Sequence, residues 1–256
     1  MSVPIINLNE YVDHRNSKVA NNHPLLPQHD NEVGSFRWLI SGKSGTGKTN
    51  LILSALLQNQ IRFDKIYLVV KSPDQPKYKL FLKWINTIEK DLKKQGIDVD
   101  ICEVITEAEN MPDIEDIDAS LINVMLFDDM LLSKGGRDMI PEYFIRGRHK
   151  GINCIYLTQD YHKTDVTIRK QCDYFSVFGV SSKAELIQLS KEHSLTHDYT
   201  TFKNILTEAT KKTNDFLFID RRTSNKLLQL RKNYDEFWDE SKDRFVSVNE
   251  IAQELK

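Results

Sequence analysis

The residues with the clearest chemistry are GKSGTGKT at positions 42–49. Gly42, Gly47, Lys48 and Thr49 satisfy the spacing G-x-x-x-x-G-K-[ST], and Lys43, Ser44, Gly45 and Thr46 complete the loop. Glycines accept the dihedrals that turn successive backbone N–H groups inward, which makes an anion nest where a helix begins. In such a nest the Lys48 ammonium reaches the β- and γ-phosphates of a nucleotide, and the Thr49 hydroxyl becomes a ligand of Mg2+. ATP and Mg2+ are the cofactors expected of these residues.

Hydrolysis also needs a carboxylate to anchor the metal and a group to orient water. The run NVMLFDDM (123–130) is a strand of large apolar residues ending in two acids. Asp128 is expected to hold Mg2+ through water, and Asp129 to polarise the attacking water. A second run, CIYLTQD (154–160), ends at the strand edge where ligands sit in open α/β sheets. Its Gln159 can donate to a phosphate oxygen and accept from water, so it is the candidate γ-phosphate sensor. Between these runs FIRGRHKGIN (144–153) gathers Arg146, Arg148, His149 and Lys150 around Gly147, read here as a flexible point. Arg148, or Arg146, could project as an arginine finger into a neighbouring subunit's nucleotide. A solvated basic loop or a DNA contact explains the same residues. Arg169 is the next candidate finger. A guanine-nucleotide switch is disfavoured, because DDML (128–131) lacks the glycine of DxxG and HKTD (162–165) begins with His162.

The elements that must position these groups are legible as alternating patterns. FRWLIS (36–41) leads into the glycine loop, and NLILSALLQN after it keeps helical spacing. Further strand candidates are 65–70, 99–105, 121–127, 152–158 and 173–180, mostly separated by stretches long enough for helices. This predicts an α/β P-loop NTPase with a mostly parallel sheet flanked by helices on both faces. Two strand candidates between the loop and Asp128 suit ATPases with an extra strand between the two nucleotide-binding strands. SKAE (182–185) is a capping box for a helix to about Ser194, and DVTIRKQ (165–171) supplies one or two helical turns. Residues 215–222 and 225–232 predict an antiparallel hairpin near the C-terminus. SVNE (247–250) predicts a short final helix. The expected division is an arm (1–33), an ATPase domain (34–232) and a tail with that helix (233–256).

Composition bounds the rest. The chain has 256 residues, 35 Lys plus Arg, 37 Asp plus Glu and a formal charge of -2, which excludes a surface that is basic throughout. Mean hydropathy is -0.46. Three scattered cysteines, no CxxC pair, no secretory leader and no membrane-spanning segment point to a soluble protein of a reducing compartment. Residues 98–118 hold nine acids and no Lys or Arg, read as a solvated acidic loop rather than a metal site.

Taken in order, GKSGTGKT, LFDD, RGRHKGINCIYLTQD and IRKQCDYFSVF resemble the FtsK/HerA-type DNA-packaging ATPases of large double-stranded DNA viruses and virophages, over roughly residues 34–232. The resemblance implies a homo-oligomeric ring, hexameric or pentameric, that pumps double-stranded DNA into a preformed capsid. Its partners would be a capsid protein or portal vertex, and its place the host cytoplasm or viral factory, with association with the virion also open. It also implies Lys48 and Thr49 as Walker A residues, Asp128 and Asp129 as the Walker B pair, Gln159 as sensor and Arg148 as finger. Asp in place of the commoner second Glu puts the water-polarising role of Asp129 in doubt. DNA contact must then come from a patch: residues 201–232 carry eight basic against three acidic side chains, and Lys211, Lys212, Arg221, Arg222 and Lys226 are the candidates. A solvated hairpin is the plainer reading of that segment. Acid in 98–118 and base in 146–150 and 201–232 are expected on different faces. Two other functions remain open: a nucleotide-switched assembly or adaptor protein, and a small-molecule kinase.

Overall fold

The computed structural model describes residues 26–27, 34–58, 60–128, 130, 136–247 and 250. The expected arm, the final helix and Asp129 therefore lie outside, or almost wholly outside, the described residues. In chain order the elements are β1 (Arg37–Ser41), α1 (Lys48–Leu57), β2 (Lys65–Val70), α2 (Pro76–Lys94), β3 (Cys102–Ile105) and β4 (Asn123–Asp128). Then come α3 (Gly136–Arg146), β5 (Ile152–Thr158), α4 (Val166–Gln171), β6 (Tyr174–Val177), α5 (Lys183–His193) and α6 (Tyr199–Ala209). The chain continues through β7 (Leu217–Asp220), α7 (Lys226–Gln229), β8 (Leu230–Lys232), β9 (Glu236–Asp239) and β10 (Arg244–Ser247). The architecture is α/β, mostly parallel with antiparallel C-terminal strands and flanking helices, as the alternating pattern predicts. No helix of the described residues is long and apolar enough to cross a membrane.

The described residues divide into two compact units, the first lying within 1–37 and 49–157 and the second within 38–48 and 158–256. In the first, the strands run β5-β4-β2-β3, all parallel. β4 and β5 are buried almost throughout, which is why they read as unbroken apolar runs rather than alternating ones. Edge strand β3 is partly exposed and carries Glu103, a charge that discourages further pairing. Phe127 of β4 packs against Tyr143, Phe144 and Tyr156. Helix α2 starts with Pro76 in its first turn, a position that needs no N–H donor. It buries Tyr78, Phe81, Ile85, Ile88 and Leu92 at alternating spacings of three and four, so one stripe faces the core. The parallel register aligns Val70, Asp128 and Leu157, placing the carboxyl ends of β2, β4 and β5 on one edge.

In the second unit the strands run β10-β9-β8-β7-β6-β1. β1 and β6 are parallel, and the Trp38 indole N–H donates to Ser176 Oγ at 3.1 Å. The rest is antiparallel. The predicted hairpin is present as β7 and β8, although residues 226–229 form a helical turn before the short second strand. The segment expected as a tail instead holds β9 and β10, which extend the antiparallel run. Those strands are only four residues long, too short for a periodic signal. Ser182 caps α5 by accepting from Glu185 N at 3.1 Å. The Glu185 carboxylate does not close the box on Ser182. It accepts instead from Ser181 N at 2.6 Å and Tyr161 N at 3.0 Å, tying α5 to the loop after β5.

Candidate nucleotide site

The glycine loop leaves β1 in the second unit, where the Gly42 N–H donates to the Thr158 carbonyl at 3.2 Å. Its glycines take φ of 154° at Gly42, 80° at Gly45 and 106° at Gly47. Sequence alone shows why glycine is permitted here; packing shows why it is required at Gly42. A Cβ there would stand 2.7 Å from the Phe178 Cβ. The Lys48 ammonium lies along the loop, donating to the carbonyls of Gly42 at 2.6 Å and Lys43 at 2.9 Å, and Thr46 Oγ donates to Lys43 O at 2.8 Å. These are neutral acceptors, and a phosphate oxygen in the loop would offer a charge-assisted bond about twice as strong.

Thr49 continues the chain into the first unit, which also holds Tyr78 and Asp128. The Tyr78 hydroxyl donates to Asp128 Oδ2. Burial first and the Asp128 charge second raise the Tyr78 pKa, keeping the phenol a neutral donor. Topology explains the meeting: Asp128 ends β4, and Tyr78 begins the helix that follows neighbouring β2, at the aligned carboxyl ends. A hydroxyl and a carboxylate are hard oxygen ligands, the donor type Mg2+ takes. This set fits the ion expected from sequence, with Thr49 and Asp128 as the groups to hold it.

Gln159 is exposed and follows the Thr158 carbonyl that receives Gly42, so it lies one residue from the loop's entrance. Sequence reasoning missed two neighbours of the loop. Phe178 packs on Phe216 at 4.9 Å between ring centroids and seals Gly42. Asn214 Oδ1 stands 3.1 Å from where a Gly47 Cβ would be, and Asn214 itself has φ of 73°. The only advance signal was an Asn in the polar turn KKTND, a residue type that tolerates left-handed backbone.

A model of the Poxvirus A32 protein family matches residues 29–235, more than half of the chain. The chain belongs to the poxvirus A32 protein family. Among solved structures, the genome packaging NTPase B204 from Sulfolobus turreted icosahedral virus 2 in complex with AMP is similar at TM-score 0.50 and 16% identity, covering 77% of this chain and 96% of that one. The same NTPase with ATP-gammaS gives TM-score 0.48 at 17% identity, over 75% of this chain and 94% of that one. EssC (ATPases 2 and 3) from Geobacillus thermodenitrificans gives 0.37 at 14%, over 62% and 34%. At such identities the first of these likenesses speaks to the fold alone. No curated protein sequence matches the chain significantly.

Within this A32-family chain the basic loop lies away from Asp128. Residues 147–150 lead into Ile152, which pairs with Asn123 at the opposite end of β4, roughly 16 Å from Asp128 at about 3.3 Å per residue. Arg146 pairs with Glu115 at 3.0 Å, Lys150 with the same carboxylate at 3.1 Å, and Arg148 donates to Ser35 O at 3.4 Å. Acid from 98–118 and base from 146–150 therefore meet, where sequence predicted separate faces. Gly147 is buried in the helical turn 147–150, and a Cβ there would make ordinary contacts with Ile152 at 3.4 Å and Arg37 at 3.5 Å. Arg169 is buried, donates to Thr164 O and pairs with Glu192 at 3.3 Å, a structural role within its own chain.

The DNA-contact candidates split. Lys211, Lys212, Arg221 and Lys226 are exposed. Arg222 is held by Asp173 at 3.2 Å over the Tyr174 ring. Two other members of the basic count are structural: Arg231 is buried against Asp220 and Phe218, and Lys232 is paired with Asp215 and Glu236.

Proposed function

We propose that this chain is an ATP-hydrolysing motor that moves double-stranded DNA into a preformed viral capsid. The observation that carries the reading is the glycine cradle closed by Phe178, with Lys48 lying along it and Thr49 next in the chain. Membership of the A32 family and the fold shared with a genome packaging NTPase support it. In this reading the loop N–H groups and Lys48 bind the phosphates, Thr49 and Asp128 hold the metal, Gln159 senses the γ-phosphate and Asp129 receives a proton from water. Mg2+ would neutralise charge developing on the phosphates. Subunits form a ring, and Arg148 acts across a subunit boundary, since Arg148 and Asp128 belong to opposite ends of the parallel strands of their own chain. Exposed Lys211, Lys212, Arg221 and Lys226 repeat around the ring and meet DNA phosphates; the capsid or its portal is the docking partner in the host cytoplasm or viral factory.

The test is ATP turnover with and without linear duplex DNA, alongside particle size. Turnover raised by DNA in a ring-sized particle is the expected result. Equal rates from a strictly monomeric particle overturn it.

A further inference from the structure

We propose that Tyr78 is a positioning residue of the metal site, orienting Asp128 through its hydroxyl. The inference rests on the reading of Asp128 as a group that holds Mg2+. A carboxylate can only accept, so the Tyr78 proton belongs to the bond with Asp128 Oδ2. A carboxylate offers about four lone-pair positions, so one phenol bond fixes its plane without exhausting it.

The phenol is also rigidly placed. Tyr78 has no exposed surface, and it sits in the first turn of a 19-residue helix anchored by four further buried side chains. Its hydroxyl therefore orients the Asp128 carboxylate from a fixed point, as outer partners of metal ligands do. A buried tyrosine needs a hydrogen-bond partner for its O–H, and the partner of Tyr78 is a group assigned to the metal.

The test compares wild type with Tyr78→Phe, which keeps the ring and deletes the oxygen. Mn2+ binding is titrated in the presence of saturating ADP, well below the melting temperature of either protein. The expected result is a Kd for Mn2+ raised about 10- to 100-fold in Tyr78→Phe. With it, turnover at saturating Mg2+ stays close to wild type while the half-saturating Mg2+ concentration rises. An unchanged Mn2+ Kd with a lowered melting temperature would make the hydroxyl purely structural, and tighter Mn2+ binding would make it a competitor of the metal; either overturns the inference. A second variant tests the route: Asp128→Asn should abolish the effect of Tyr78→Phe on Mn2+ binding, and full additivity overturns a route through Asp128. If wild type itself binds no Mn2+ with ADP, the reading of the site fails. If wild type binds and Tyr78→Phe matches it, this inference alone fails.

Discussion

At Gly42 a methyl group has no room, because its position is 2.7 Å from the Phe178 Cβ and the backbone φ is 154°. Gly42→Ala should lose nucleotide-induced thermal stabilisation and cost about 1–3 kcal/mol in urea unfolding. Gly45, with φ of 80° and open space around its Cβ position, is the contrast: Gly45→Ala should cost only about 1–2 kcal/mol of local strain. Equal losses at the two sites would show that Phe178 does not press on the loop. Lys48 sets a different expectation. Its partners are exchangeable carbonyls of the loop, so Lys48→Ala should fold while losing the rise in melting temperature that ATP gives wild type. The motif made Gly42, Lys48 and Thr49 readable in the sequence, since the spacing itself encodes the chemistry. Phe178, Asn214 and Tyr78 were unreadable, because each reaches the site from a distant element and belongs to no local pattern.

The elements that carry the site are themselves held by buried polar groups. His193 in α5 is enclosed by Tyr161, whose hydroxyl lies 2.6 Å from Nε2, with Glu192 4.0 Å away, Phe175 stacked at 4.2 Å, and Arg169 and Arg221 adding positive charge nearby. Burial pushes its pKa from the usual 6.5 down to about 3, and Arg221 and Arg169 push the same way against Glu192. The folded state thus keeps His193 neutral while the unfolded chain takes up a proton below about pH 6.5. Stability is full above that value and falls as pH drops toward 3, with a slope of up to about 1.4 kcal/mol per pH unit from this one group. For Glu192, burial opposes ionisation but hydrogen bonds from Tyr161 and Gln188 and the Arg169 charge outweigh it, lowering its pKa and adding to the acid sensitivity below about pH 4.5. His193→Gln should flatten the dependence of melting temperature on pH between 6.5 and 5; an unchanged slope there would assign the sensitivity elsewhere. Helix α5 was foreseen from its cap, yet the turn of Glu185 toward the loop after β5 was not. A capping pattern is local, and the donor Tyr161 N is 24 residues away.

For the whole molecule, charge is arranged more by pairing than by segregation. The Arg146–Glu115 pair is exposed and adds little to stability, so Arg146→Ala and Arg148→Ala should remain folded. If Arg148 acts on a neighbour's nucleotide, Arg148→Ala should bind ATP, lose turnover and regain part of it when mixed with Lys48→Ala subunits that carry an intact basic loop. Persistent turnover in pure Arg148→Ala would remove it from the reaction. DNA binding separates the basic residues in the same way. Alanine at Lys212, Arg221 or Lys226 should weaken DNA binding and reduce the salt slope by about one for each phosphate that is no longer neutralised. Arg231→Ala should instead destabilise the fold, since it strips the buried partner from Asp220.

The α/β class, the glycine loop and the strand ending in Asp128 were determined by sequence alone, because each is written in neighbouring residues: periodicity, glycine spacing, an apolar run that stops at an acid. Tertiary structure decided which of many polar side chains meet. It set the Tyr78 hydroxyl on Asp128, brought Glu115 to the basic loop, buried Arg169 and Arg231, and extended the antiparallel strands through β9 and β10. These outcomes depend on the register of parallel strands and on burial, and both are settled by the summed packing of residues far apart in the chain rather than by any local signal.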